Sequence, residues 1–381
     1  MELELEGAGY FLYHSIGQYP NKAQELSAAL QRYAEVWGTP NDSQWPFVLT
    51  QQSRFIELWT ALIGAEAGTL TTASNVTGAL YSLIGALPAH HLRGKRLLVA
   101  GDCFPSLHFL LSGLQERFGF TLDTVPLRPG ASWVEDEDVI ARWDETVGLA
   151  LLTHASSTSS HLCDLQALVA HARKTGSLVG VDITQSVGIV PYSVSDPAVD
   201  FTVSSTLKWL CGTSGAGILH VAQPLLEKCQ PELRGWFSQP NPFSWDLDKF
   251  AYADDVRRFD NGTPSVIAAL GSVPALEWHA SQDPQELLAH NRRITGSLIE
   301  AADALGFALA TPREATQRGG SVMLRLPAEI DTGKLVAELR SKAIFVDCRG
   351  QILRLSPGNV TKDEGLSGLV AHLKSISGTR A

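Results

Sequence analysis

The sequence predicts an α/β protein: a mainly parallel, helix-covered sheet in a large domain, joined to a small α+β domain. Three observations predict it. Through the middle of the chain, short apolar runs bounded by turn residues alternate with helical patterns, which is how parallel strands joined by covering helices read. After about residue 265 the pattern changes to two long helical segments followed by shorter strands. Between these regions one apolar strand ends on Asp182 and the next leads into a turn carrying Lys208; sheets of this kind bind ligands outside the carboxyl ends of their strands.

Taken in order, residues 1–50 form an N-terminal arm with one helical stretch, Lys22 to Val36, and a loop rich in Pro, Asn and Trp from Thr39 to Phe47. The arm is too short to fold alone, so it is expected to pack on the small domain or across a subunit interface. The large domain is placed at 51–264. Its strands are expected at Arg96 to Ala100, Val147 to Thr153, Ser177 to Ile183, Phe201 to Ser205 and Ala216 to Val221, with helices at Ser106 to Arg117 and Leu162 to Lys174. The small domain is placed at 265–381, with helices at Ser265 to Ser281, Pro284 to Leu305, Thr332 to Arg340 and Asp363 to Ser375, and strands at Ser321 to Leu326 and Gln351 to Leu355.

Composition narrows the function. The 381 residues carry 30 Lys+Arg against 40 Asp+Glu, a net charge of −10, and no basic cluster offers a stripe for phosphate backbones, so neither nucleic acid nor an anionic membrane surface is an expected partner. The acidic start, residues 1–7, lacks the basic and apolar regions of a secretion signal, and no stretch is long and apolar enough to span a bilayer. A cytoplasmic protein is expected. Cys103, Cys163, Cys211, Cys229 and Cys348 are odd in number and scattered, which supports neither a disulfide framework nor a structural metal site.

The chemistry concentrates between residues 180 and 217. A lysine buried at a strand end is costly unless it is neutralised, paired or covalently used, and a Schiff base to a cofactor aldehyde is one resolution. An acid at the neighbouring strand end holds a pyridine nitrogen protonated, because a carboxylate favours the cation beside it. Asp182 and Lys208 in these two roles point to pyridoxal 5'-phosphate.

Asp182, Gln185, Ser205, Lys208 and the glycine-rich tail from Trp209 to Gly217 resemble the signature of class V, fold-type I pyridoxal phosphate enzymes, in the branch of kynureninases and isopenicillin N epimerase-like proteins. The similarity runs from about residue 70 to the end of the chain. It implies a fold-type I, transferase-like architecture and roles for individual residues. Asn75, Val76 and Thr77 resemble the phosphate cup, where a turn runs into a helix whose first N–H groups face an anion, and Ser205 resembles the phosphate-binding hydroxyl. Phe104, in the segment Gly101 to Ser106, is similar to the aromatic residue that covers the pyridine face. In the stretch Thr153 to His161, Ser157 is a further candidate for the cofactor phenol oxygen, and His154 is a local hydrogen-bonding residue. Gln185 is a neutral hydrogen-bond partner for that same oxygen.

Gly235-Trp-Phe and Gly262-Thr-Pro resemble family segments in which the threonine reaches the neighbouring subunit's phosphate. Thr263 therefore implies a homodimer with shared active sites, and Trp236 either joins it there or packs at the interface. Arg354 lies where the resemblance places the arginine for the substrate carboxylate, a role suited to a guanidinium fork.

The resemblance implies that Lys208 is displaced by a substrate amine and then takes the α-proton as general base, with the protonated ring stabilising the resulting carbanion. Leu207, Gln185 and Leu107 stand where kynureninases usually carry Tyr, His and Asp. Cys348, in a compact turn just before Arg354, is a small semi-buried side chain and not a desulfurase nucleophile. The expected activity is β-elimination or a kynureninase-like lyase or hydrolase reaction on an L-α-amino acid. The alternatives are a class V aminotransferase or epimerase, and a catalytically silent homologue that only binds the cofactor.

Overall fold

The computed structural model describes residues 8–377; the acidic start and the last four residues lie outside the described residues. The chain opens with helices α1 (Lys22–Trp37) and α2 (Gln44–Ile63). The large sheet and its helices then follow as β1 (Leu70–Ala73), α3 (Val76–Ile84), β2 (Arg96–Ala100), α4 (Pro105–Phe118), β3 (Thr121–Val125), α5 (Asp136–Ala141), β4 (Val147–Thr153), α6 (Leu165–Thr175), β5 (Leu178–Asp182), β6 (Phe201–Ser205), β7 (Gly217–Val221) and α7 (Gln223–Leu226). The C-terminal part is α8 (Val266–Ser281), α9 (Pro284–Leu305), β8 (Ala308–Leu309), β9 (Val322–Arg325), α10 (Thr332–Ser341), β10 (Asp347–Arg349), β11 (Ile352–Leu355) and α11 (Asp363–Ser377).

The large sheet has the order β1-β7-β6-β5-β4-β2-β3. Strands β3, β2, β4, β5 and β6 run parallel, and β7 lies antiparallel between β6 and β1. Register aligns the ends that matter: Thr153 sits opposite Asp182, and Gly217 sits opposite both Ser205 and Ala73. One edge of the sheet therefore gathers the exits of β1, β4, β5 and β6. Strands β4 and β5 are buried along nearly their whole length, as a sheet covered on both faces requires. Gly180 has no side chain because the Phe201 ring lies across it; a Cβ there would sit 1.9 Å from Phe201 Cζ.

Each face of the sheet has its own core. Phe55, Trp59 and Ile63 of α2, Leu168 of α6 and Val273 of α8 pack on one side, and Leu80 and Leu83 of α3 with Leu107 and Leu111 of α4 pack on the other. Helix α8, grouped by sequence position with the C-terminal unit, thus buries its apolar side against α2 beneath the large sheet. The stretch Thr39 to Phe47 is not all loop, since α2 begins at Gln44 and accommodates Pro46 in its first turn, where a missing N–H breaks no helical bond. The small antiparallel sheet, ordered β10-β11-β9-β8, packs Leu324, Leu353 and Leu355 against Leu298 of α9 and Leu369 of α11. Among the described residues no helix is long and apolar enough to cross a membrane.

Residues 8–19 tie the two sheets together. Phe11 N–H donates to Phe345 O (3.0 Å), and Ser356 N–H donates to Phe11 O (2.9 Å). Six residues on, Gly17 N–H donates to Leu207 O (2.9 Å). Tyr13, Tyr19, Trp209 and Cys211 form a small apolar cluster around this crossing, with the Tyr13 and Trp209 rings 5.6 Å apart. Gly17 lies so close that a Cβ would meet Lys208 O at 1.9 Å, backbone against backbone. Gly17→Ala is therefore expected to destabilise by about 1–3 kcal/mol through forced overpacking. Gly113→Ala, in α4 with nothing within 4 Å of the added carbon, is expected to stabilise by about 0.5–1 kcal/mol. Denaturant melts of the two variants check this pair of opposite signs.

Candidate active site

A cavity of about 270 Å³ opens at the gathered strand exits. Asn75, Val76, Thr77, Phe104, Asp182, Gln185, Ser205 and Lys208 all line it. The first three come from the start of α3, whose N-cap Asn75 accepts a hydrogen bond from Gly78 N–H at 2.8 Å. The amides of Val76 and Thr77 precede the first helical bond, Ala79 N–H to Asn75 O, so they are free for an anion at the positive end of the helix. The Ser205 hydroxyl lines the same cavity and makes no hydrogen bond to a described residue.

Asp182 ends β5, buried to 6% exposure. Its Oδ1 accepts from Thr184 N–H (2.9 Å) and Thr184 Oγ1–H (2.5 Å). Burial pushes the Asp182 carboxyl up, against the bonds from Thr184 and the positive charge of Lys208. A carboxylate in this condition is stabilised by any further cation brought against it. Lys208, three residues past β6, is pushed down to about 8 by burial, with Asp182 opposing and the Arg354 charge adding to the shift. Its Nζ lies 5.2 Å from the Phe104 ring centroid, and Phe104 remains 44% exposed, an open aromatic surface beside the amine.

Gln185 turns into the cavity but has other duties. Its Oε1 accepts from Trp209 Nε1–H at 3.3 Å, and one hydrogen of its Nε2 goes to His14 O at 3.1 Å. Ser157 lines the wall, while His154 turns its Nδ1 to Ser186 Oγ (2.8 Å) and is driven to about 4 by burial alone. Arg354 leaves β11 pointing at its cross-strand neighbour Asp347, to which its Nε donates at 2.8 Å and its Nη2 donates as well. Arg354 acts electrostatically on both Lys208 and His14.

Three expected residues, Arg354, Thr263 and Trp236, do not line this cavity in the single chain. Thr263 is exposed and lines a separate groove of about 310 Å³ beside the start of α3, with Ser74, Gly78 and Asp260. Trp236 packs its ring edge-on against Phe237 and Phe243. Conversely, Thr153, Ser106, Leu107 and Thr184 line the cavity. Buried Thr153 Oγ1 has no hydrogen-bond partner among the described residues, a donor left for something the cavity holds. His14 and Asp347 also stand at the site with no role assigned from sequence. Chain order gives no sign of His14, which is brought in by a segment far from every strand end.

These groups suit a pyridine ring bearing a phosphate. The α3 amides and Ser205 would hold the phosphate, Phe104 would cover one ring face, Asp182 would meet the ring nitrogen, and the unpaired Thr153 hydroxyl adds a polar contact. Lys208 supplies an amine for an aldehyde.

The depressed Lys208 value carries a stability consequence in the cofactor-free protein. The folded state releases this proton near pH 8 and the unfolded chain near 10.5, so the penalty, about 3 kcal/mol, is present in full below pH 8. It fades as pH rises toward 10.5. Cofactor-free Lys208→Met is therefore expected to melt above the wild type at pH 7, with the gap closing as pH rises through 8 to 10, as thermal melts across that range will read.

Comparison with known proteins agrees with this reading. An uncharacterized aminotransferase of Bacillus subtilis, YcbU, is 27% identical over 88% of this chain and 86% of its own length. The kynureninase of Geobacillus thermodenitrificans is 26% identical, covering 83% of this chain and 75% of that enzyme. Among solved structures, a C-DES variant with glycine covalently linked to its PLP cofactor superposes with a TM-score of 0.86 at 19% identity, over 97% of each chain, a likeness of fold. The profile of class-V aminotransferases matches residues 57–353. The chain belongs to the class-V aminotransferase family of pyridoxal phosphate-dependent, fold-type I enzymes.

Proposed function

We propose that this protein acts on an L-α-amino acid and catalyses β-elimination or a kynureninase-like lyase or hydrolase reaction. The observation that carries the reading is a half-buried amine with a lowered pKa, 5.2 Å from an aromatic ring centroid and within electrostatic reach of both Asp182 and Arg354. When bound, the cofactor supplies a cationic ring that withdraws charge from the substrate's α-carbon. Asp182 keeps the proton on the ring nitrogen, because its buried carboxylate gains from that cation. Lys208, with its pKa near 8, is poised to take the α-proton at its Nζ and return it. Arg354 holds the α-carboxylate and so sets which bond at the α-carbon stands next to Lys208.

The cysteines speak against persulfide chemistry. Burial pushes Cys103 up to about 12 and Cys348 up to about 11, and the thiolate is the form that attacks. The cavity wall beside Lys208 includes Val76, Leu107, Ala155 and Leu207, which suits an uncharged leaving side chain. The relatives named kynureninase favour cleavage, while the relative named as an aminotransferase keeps amino transfer as the second reading.

We further infer a homodimer in which Thr263 and Trp236 serve the partner's site. Thr263 stands exposed beside the α3 start and outside its own cavity, as a residue acting in trans would. The five cysteines are all free thiols, in keeping with a cytoplasmic location.

Incubation with a panel of L-amino acids tests the reaction. Elimination or hydrolytic cleavage is expected to proceed without any added 2-oxo acid, with elimination releasing ammonia and a keto acid, and to be lost in Lys208→Ala. Turnover that requires a 2-oxo acid acceptor contradicts the proposed reaction and favours transfer.

A further inference from the structure

Arg354 is held by more than its own strand. Its Nε and Nη2 are engaged by Asp347, while Nη1 makes no hydrogen bond among the described residues. Asp347 in turn faces His14, whose Nε2 lies 3.1 Å from Oδ1. That contact is close but is not aligned as a hydrogen bond; burial lowers the imidazole's pKa and favours its neutral form, and since a carboxylate only accepts, the hydrogen sits on the Nε2 that faces it and Nδ1 accepts. The donor for Nδ1 is Ser356 Oγ at 2.7 Å, which stands 2.6 Å from Ser321 Oγ. His14 is 3% exposed and its backbone is clamped from both sides. Tyr13 N–H donates to Ser356 O (3.2 Å) in the small domain, and His14 O accepts from Gln185 in the cavity wall. Although burial opposes it, His14 and Arg354 together hold the Asp347 carboxyl well below the usual carboxylate range.

We propose that His14 and Asp347 are positioning residues that lock the Arg354 guanidinium with its Nη1 side presented to the substrate's α-carboxylate, so that the N-terminal segment determines the preference for free acids over neutral carboxyl derivatives. The proposal rests on the reading of Arg354 as the carboxylate-binding residue. The geometry supplies the reason. A single arginine on a strand rotates about four side-chain bonds, and two parallel N–H···O bonds to a carboxylate that is itself fixed from behind leave it one orientation. His14 fixes that carboxylate, and it reaches the site only because residues 8–19 cross between the two domains.

The test uses the cofactor-loaded protein and two probes that share an amine, L-alanine and L-alaninamide, each titrated by the change it makes in the cofactor's visible absorption. The ratio of the two affinities is the acid preference, and its change between proteins isolates the carboxylate contact. Asp347→Asn and His14→Phe are each expected to lower the preference about tenfold, the scale of one lost charge-assisted hydrogen bond, with Lys208-dependent absorption retained. His14→Gln, which restores an N–H donor toward Asp347, is expected to recover part of it. Arg354→Gln abolishes the preference if Arg354 binds the carboxylate; if it does not, the underlying reading fails. Loss of the preference in Arg354→Gln but an unchanged preference in Asp347→Asn and His14→Phe overturns the positioning proposal alone. So does tighter L-alanine binding in Asp347→Asn, which makes Asp347 a competitor of the substrate and not its support. Should His14→Phe fail to fold, Asp347→Asn still decides.

Discussion

The site is organised by one electrostatic demand: a half-buried amine and a buried carboxylate stand at adjacent strand ends with no direct salt bridge between them. A lysine as buried as Lys208 is expensive in its charged form, and Asp182 only partly offsets that cost, since its own Oδ1 is committed to Thr184. The arrangement suits a protein that brings a third, cationic partner between them. Sheet order produces it. Strands β5 and β6 are parallel neighbours, so the residue ending one and the turn leaving the other open on the same side, and the exits of β1 and β4 bring the α3 amides and Thr153 to that side too.

A second constraint comes from the chain's having two separate sheets. The groups proposed to hold the cofactor stand on the large sheet, whereas Arg354 stands on the small one, and their relation depends on whatever joins the sheets near the cavity. Residues 8–19 do this with backbone hydrogen bonds at both ends and with two glycines in close approach. Gly17 lies against the Lys208 carbonyl, and Gly358 lies against the Tyr13 ring, 2.3 Å from where its Cβ would be. The segment that carries His14 is thus also the one that sets the spacing between the amine and the guanidinium.

Much of this is legible in the sequence, for physical reasons. Strands buried on both faces read as unbroken apolar runs, so β2, β4 and β6 lie at the residues their composition marks. Asp182 and Lys208 stand out because charged residues rarely follow such runs, and Asn75 and Ser205 follow from cap and motif. What escaped has equally physical causes. The antiparallel sense of β7 depends on a short connection back across the sheet and leaves no mark in a five-residue strand. The helix α2 is hidden behind a Pro- and Trp-rich start that resembles a loop. His14 and Asp347 become partners only through a contact between residues 333 positions apart (347 − 14). Trp236 and Thr263 act on a neighbouring chain in our proposal, which one chain's cavity does not display.

The most direct test of the central claim, that Lys208 carries the cofactor, is to reduce the pyridoxal phosphate-loaded protein with borohydride and map its peptides by mass spectrometry. A reduced pyridoxyl adduct on the peptide containing Lys208, absent from Lys208→Ala treated alike, is the result predicted. An adduct on another lysine, or none on a protein that has taken up the cofactor, would contradict the account and return Lys208 to a structural role.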